Sequence, residues 1–252
     1  MKRALFLLYG FACYALFLGV FLYTIGFVGG FLTPTRLDAS FRYPDTTTFL
    51  FAIFIDLLLV LLFAVQHSAM ARPGFKAWLT RWVPQPIERS TYVLATNCVL
   101  IVLFWQWRPL GGIIWDVQSN AGKIVLWLLF AQGWLTVLIT TCLINHFDLF
   151  GLRQVWMHFC GVPYQPLPFV TPGPYRLVRH PLYVGWLMAI WATPTMTVAH
   201  LLFALAMTAY ILVAIHLEEK DLLRFHQTYV DYRRMVPMLI PRWSRFRSRT
   251  AD

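Results

Sequence analysis

Charge is what this 252-residue chain has least of. Asp, Glu, Lys and Arg together make up 13% of it, while hydrophobic residues make up 59%; a soluble domain carries roughly 25% charged residues. That shortage excludes a soluble globular enzyme and indicates an integral membrane protein. Cysteine is sparse and poorly spaced for chemistry. Cys13, Cys98, Cys142 and Cys160 form no C-x-x-C pair, and the first three lie inside apolar runs. The pattern supports neither a disulfide framework nor a zinc site, so buried thiols and no metal are expected. No internal repeat is visible. No polar stretch is long enough to build a second, soluble domain. The net charge of +10 is not gathered on one periodic face, which argues against a nucleic-acid partner. The basic start MKRALFLLYG runs into apolar sequence without a small-x-small cleavage site, and reads as an uncleaved first span.

What is abundant is apolar sequence in long runs. A bilayer core of about 30 Å needs roughly 20 apolar residues per helix. Four runs meet this, over 4–31, 48–71, 91–110 and 122–145. Two shorter ones, 182–198 and 199–217, meet at TPTMTVAH, where Pro194 favours a break or tight turn. The expected fold is an all-α integral membrane protein of about six transmembrane helices, the last two a tight hairpin, followed by a polar tail. The basic residues test this arrangement, since short cytoplasmic loops carry the excess. One side receives Lys2 and Arg3, then Arg72, Lys76, Arg81 and Arg89, then Arg153, Arg176 and Arg179, then eight beyond Glu219, seventeen of the 21. The other side receives Arg36, Arg42, Arg108 and Lys123. Both termini and the C-terminal tail are therefore expected in the cytoplasm, with the protein in the cell membrane.

Three polar clusters line that cytoplasmic side. In PGPYRLVRHPLYVGW, Pro172, Gly173 and Pro174 make a rigid turn, and Pro181 suits the first turn of a helix. The start of that helix offers free N–H groups and partial positive charge to an anion, with Arg179, His180 and Tyr183 around it. Gly185 lets another helix or a ligand approach closely. The bland reading is that the arginines obey the positive-inside rule and Tyr183 joins the interfacial aromatic belt. In AIHLEEKDLLRFHQTYVDYRR, Glu218 and Glu219 follow a span directly, where carboxylates are costly unless partnered. A ribose diol or an ammonium group would serve as partner; so would Arg176 or Arg179. Tyr229 and Tyr232 share a helix face, and Arg233 and Arg234 suit lipid headgroups. In LINHFDLFGLRQVW, Asn145, His146 and Asp148 end the fourth run. A His beside an Asp can act as general base, but the same residues also serve to cap a turn. His67, in VQHSAMARP, reads as a structural helix-end histidine.

The order P-G-x-Y-R-x-x-R-H-P-x-Y-x-G-W, a short apolar hairpin, E-E-x-x-L, then Y-x-x-Y-R-R-x-V-P-x-x-I-P resembles the isoprenylcysteine carboxyl methyltransferase and phospholipid methyltransferase superfamily over residues 165–241. The segments AVQHSAMARP, ERSTYVL, WQWRP and NHFDLFGLRQVW extend the resemblance across nearly the whole chain, to the NnrU-like branch and, within it, to enzymes that methylate methanethiol to dimethyl sulfide. The resemblance implies one membrane methyltransferase domain over 1–252, with a four-helix part at 1–145 and a cofactor-binding part at 165–241. It implies S-adenosylmethionine as cofactor, a small thiol as substrate and lipid as surroundings. Cofactor contacts fall on Leu167, Pro168, Phe169, Val170, Tyr175, His180, Pro181, Leu182, Tyr183, Gly185, Glu218 or Glu219, and Tyr229. His146 with Asp148 is the candidate base, and Tyr183 and Arg179 could instead stabilise charge near the sulfur. Two departures stand out. The arginine that prenylcysteine enzymes carry just before the glutamates is absent, with only His216 nearby, which argues against a carboxylate acceptor. The usual glycine after the glutamate pair is replaced by His226-Gln227-Thr228, which leaves both glutamates open as the cofactor ligand. A lipophilic thiol or phospholipid acceptor, an NADPH-dependent membrane reductase, and a non-catalytic membrane partner are the competing readings.

Overall fold

The computed structural model describes residues 1–225 and 227–241; the replaced glycine position at His226 and the end of the tail, 242–252, lie outside the described residues. Helices dominate. Five of them, among the described residues, are long and apolar enough to cross a membrane: α1 (Lys2–Gly29), α2 (Thr46–Ala71), α4 (Gln85–Gln106), α5 (Asn120–Ile144) and α9 (Val198–Phe225). Short helices α3 (Pro73–Leu79), α6 (His146–Leu149), α7 (Leu152–Phe159), α8 (Pro181–Trp191) and α10 (Thr228–Met235) connect or follow them. The chain is a multi-pass membrane protein.

Local chemistry sets the helix ends. Gly30 terminates α1 in the left-handed conformation at φ 74°, which costs glycine nothing. Asp45 caps α2 by accepting from Thr48 N–H, and Ser119 caps α5 by accepting from Gly122 N–H. Such caps satisfy donors that the helix itself cannot. The core joins Phe27, Val28, Phe104, Trp134, Ile190 and Phe203 from α1, α4, α5, α8 and α9. Outward faces stay apolar as well, with Leu8 and Leu22 of α1, Phe54 and Leu61 of α2, and Ile124 and Leu128 of α5 all exposed. Such a surface suits hydrocarbon, where the only cost-free backbone is one bonded to itself.

The last hairpin differs from the expected pair of spanning helices. At 11 residues, α8 is about 16 Å long, half of a bilayer core. Beyond Trp191 the chain is extended, and β2 (Thr195–Thr197) pairs antiparallel with β1 (Ile113–Asp116) in the connection between α4 and α5. Among the described residues, this small ladder is the exception to an all-helical fold. It arises because the broken segment needs backbone partners that a helix would have supplied internally. Ala192, Thr193, Met196 and Thr197 are buried, and the break is fully engaged. Trp115 Nε1 donates to Thr193 O, Val117 N to Pro194 O and Thr197 N to Asp38 Oδ1. His200 Nε2 meets the carbonyl of Ile190 at 2.8 Å while Nδ1 meets Asp38 Oδ2 at 2.7 Å. Irregular backbone at this depth is tolerated only when protein satisfies it.

Candidate active site

The polar end of the molecule is built where α8 begins and α9 ends. Glu219, 5% exposed, is the centre of it. Its Oε1 accepts from Arg179 Nε at 2.7 Å and faces His180 Nε2 at 3.0 Å, and its Oε2 pairs with Arg233 Nε at 3.1 Å. Arg179 also donates through Nη1 to the carbonyls of Arg233 and Val236, and its backbone N–H donates to Pro237 O. Three basic side chains and a run of carbonyls thus stitch the α10 segment onto α8 and α9. A buried carboxylate is tolerable on these terms, because its charge and lone pairs are both answered.

Glu218 is placed differently. Its side chain is 44% exposed, and Tyr183 donates to its Oε2 at 3.2 Å; His180 Nδ1 stands 4.0 Å away. Beside it, α8 starts with Pro181 at its first turn and has no side-chain cap, so the Leu182 and Tyr183 N–H groups at that end lack helical partners. Tyr175, on the 3-10 turn Gly173–Arg176, approaches from the other side; burial, reinforced by Glu218, raises its phenol above the ordinary range. The Tyr232 hydroxyl donates to the Tyr175 carbonyl, and burial pushes its own pKa up to about 12. Phe169 packs edge-on against both Tyr229 and Tyr232. Leu167 is half-buried in the approach to this contact, and Pro168 is exposed. A cleft of about 650 Å³ runs between the approach loop and α10, lined by Phe169, Val170, Pro172, Arg176, Tyr232 and Met235.

Three residues singled out in the sequence take other positions. Gly185 faces α5 rather than the cleft. A Cβ built there would lie 2.8 Å from Gly133 O and 2.9 Å from Val137 N, and one on Gly133 would lie 2.6 Å from Ala189 N. The two glycines let α5 and α8 approach at backbone distance, as small residues do between membrane helices. The expected His146–Asp148 pair is not formed. Asp148 binds Arg153 at 2.9 Å and accepts from the Tyr164 hydroxyl, whereas His146 bonds Tyr14 through Nε2 and Thr141 through Nδ1. Asn145 caps α6 by accepting from Asp148 N–H, with its own φ at +124°, so this cluster has the architecture of a capped turn. Burial lowers the His146 imidazole below its usual range. His146 lines a separate cleft of about 550 Å³ with Tyr14, Cys142 and Phe147.

A second polar group lies deeper, between α2, α4 and α9. The Tyr92 hydroxyl is 3.0 Å from both His67 ring nitrogens, and His67 Nδ1 is 3.3 Å from Thr96 Oγ1. Ser68 Oγ reaches the Tyr210 hydroxyl at 3.4 Å, and Arg72 pairs with Asp221 at 2.7 Å while also donating to Leu217 O. Tyr92 and Tyr210 are within electrostatic reach of Glu218 and Tyr183, so the two groups form one polar interior. Tyr92, Tyr210 and Arg72 were not legible as site residues, because nothing in three distant segments marks them as neighbours.

Apolar spanning helices around a buried, charge-balanced cluster define a multi-pass membrane protein, with its candidate site at one end of the bundle. Comparison with known families and proteins agrees. The isoprenylcysteine carboxyl methyltransferase family matches over residues 133–224, the stretch that contains α8 and the glutamate pair. The chain is 53% identical to methanethiol S-methyltransferase of Crocosphaera subtropica over 96% of its length and 93% of the relative's. It is 51% identical to methanethiol S-methyltransferase of Mycobacterium tuberculosis, over 96% of this chain and 98% of that one. Mouse (Mus musculus) nurim is 34% identical over 66% of each. No solved structure matches. The chain belongs to the methanethiol S-methyltransferase family, and is a methyltransferase.

Proposed function

We propose that the protein catalyses methyl transfer from S-adenosylmethionine to methanethiol, giving dimethyl sulfide, at the cytoplasmic face of the cell membrane. The observation that carries this reading is the unequal state of two adjacent glutamates. Glu219 is saturated by Arg179, His180 and Arg233, while Glu218 is part-exposed beside an uncapped helix N-terminus. The residues fit the donor group by group. An amino-acid carboxylate suits the N–H groups of Leu182 and Tyr183 at the start of α8. An ammonium or sulfonium charge suits Glu218, and the adenosyl part suits Leu167 to Val170, Tyr175 and the Tyr232 side of the cleft, behind which Tyr229 is buried. When bound, the donor supplies a methyl group on an electrophilic sulfonium centre.

The chain's own residues then hold and shield the reactants. Tyr183 donates to Glu218 and holds its carboxyl group facing the cation. Arg179 works as a brace, since its donors are spent on Glu219 and on carbonyls of the α10 segment. Residues 1–145 form the scaffold and 165–241 the donor site. The acceptor is small, neutral and membrane-soluble, consistent with an α9 that carries only His216 where a carboxylate binder would need an arginine. Positioning the two reactants against each other contributes much of the acceleration.

Calorimetric titration of the detergent-solubilised protein with S-adenosylhomocysteine tests the donor assignment. Micromolar binding, lost in Tyr183→Ala and not reproduced with NADPH, is the expected result. Binding of NADPH alone, or of neither ligand, would refute it.

A further inference from the structure

Among the described residues, the donor cradle offers no uncommitted base, since its part-exposed carboxylate, Glu218, faces the positive charge of the donor. Among its basic side chains, Arg179 and His180 are committed to Glu219. His146 stands in a different cleft, lined by Tyr14 and the end of α5. Yet an alkyl thiol is mostly protonated near neutral pH, where even cysteine has a pKa of about 8.5, and the thiolate is the competent nucleophile. The polar interior behind Tyr183 has the chemistry that the cradle lacks. Its partners converge from α2, α4 and α9. Tyr210 lies two turns of α9 from Glu218, about 12 Å further into the bundle.

We propose that His67, with the hydroxyl of Tyr92, is the proton acceptor of this reaction, and that Tyr210 lines the acceptor pocket between His67 and Tyr183. This assignment rests on the methyltransferase reading above. The hydrogen-bond partners that His67 has among the described residues are hydroxyls, those of Tyr92 and Thr96, so the ring can gain or lose a proton without breaking an ion pair. Phe63 stacks on its other side with ring centroids 5.2 Å apart, which fixes its plane. The charged groups facing the cluster are few. Arg89 lies over the Tyr92 ring at 5.2 Å, Arg72 is neutralised by Asp221, and Glu218 stands at the cradle boundary. In the reaction the thiol S–H bond breaks and its proton passes to the imidazole, directly or through the Tyr92 hydroxyl. The electron pair stays on sulfur and forms the new bond to carbon. The carbon–sulfur bond that breaks leaves its pair on the donor sulfur, and the proton returns to water as product departs. A pocket of neutral hydroxyls and aromatic faces, one to two helix turns inside the membrane, accepts a small thiol and disfavours one bearing a carboxylate.

The test compares wild type, His67→Gln, Tyr92→Phe and His146→Gln by two readouts: affinity for S-adenosylhomocysteine, and kcat/KM for methanethiol from about pH 6 to about pH 9, over which the ionised fraction of a thiol rises steeply. His67→Gln is expected to bind S-adenosylhomocysteine like wild type and to lose about 100-fold in kcat/KM near neutral pH, the usual range for a general base. That deficit should shrink as rising pH ionises the thiol without help. His146→Gln should stay within a few-fold of wild type. A His67→Gln rate equal to wild type, a deficit that does not change with pH, or a 100-fold loss confined to His146→Gln would overturn the assignment. If His67→Gln fails to fold, Tyr92→Phe decides: a loss of about tenfold with the same pH dependence supports the pocket, and an unchanged rate overturns it. Wild type that binds no S-adenosylhomocysteine refutes the donor reading itself, and this assignment with it.

Discussion

Glu218 and Glu219 are neighbours in sequence, but about 100° of helix rotation separates them, and that angle decides their chemistry. One turns into Arg179, His180 and Arg233, and the other toward Tyr183 and open space. Replacing Glu219 with Ala strands buried positive charge and should destabilise the protein by about 3 kcal/mol, read as a lowered thermal unfolding midpoint in detergent. Glu218→Gln should leave that midpoint unchanged and weaken S-adenosylhomocysteine roughly tenfold or more, the cost of one charged hydrogen bond. Equal effects of the two substitutions on stability would contradict the division of labour. The sequence carried the pair but not this distinction, because Arg179 is 40 residues from Glu219 in the chain and only the fold brings it near. The expected His146–Asp148 pair does not form, for a reason that was available. Residues two apart on a helix point to opposite sides, and Asp148 duly turns to Arg153.

The elements themselves were mostly legible, since 20-residue apolar runs have few alternatives. The four N-terminal runs appear as α1, α2, α4 and α5, each with ends shifted by a few residues where caps and prolines lie outside the apolar stretch. The final hairpin was harder, because hydropathy counts residues and not helical turns. The apolar run over 182–198 takes in Thr193, Pro194, Thr195 and Thr197, and α8 ends just before them at Trp191, with the remaining chain running extended into β2. What holds α8 is its seam with α5 at Gly133 and Gly185. A methyl group at 185 would collide with backbone atoms of α5, so Gly185→Ala should cost about 1–3 kcal/mol, as overpacking does, and should impair ligand binding by moving the start of α8. Gly19→Ala provides the control, since a Cβ there meets nothing within 4 Å and the midpoint should not fall. An unaffected Gly185→Ala protein would show that the seam is looser than its distances imply.

At the scale of the whole molecule, orientation and chemistry are linked. In the proposed reaction the donor is a charged, water-soluble compound and the acceptor an apolar one, so the proposed site belongs where the bundle meets water on the side that contains the donor. In the orientation proposed from the positive-inside rule, the basic residues of the α2–α4 and α5–α8 connections lie on that side, the cytoplasmic one. A C-terminal green fluorescent protein fusion should therefore fluoresce, and alkaline phosphatase fused after Ser40, in the α1–α2 connection, should be active; the reverse pattern would invert the topology. The central claim is methyl transfer to a small thiol, and it has a direct assay. The purified protein, reconstituted in lipid, is supplied with S-adenosylmethionine carrying a deuterated methyl group and with methanethiol, and the headspace is analysed by mass spectrometry. Dimethyl sulfide bearing one labelled methyl, formed only with active protein and diminished by Tyr183→Ala, is the predicted result. Unlabelled product, or none above the protein-free background, would contradict it.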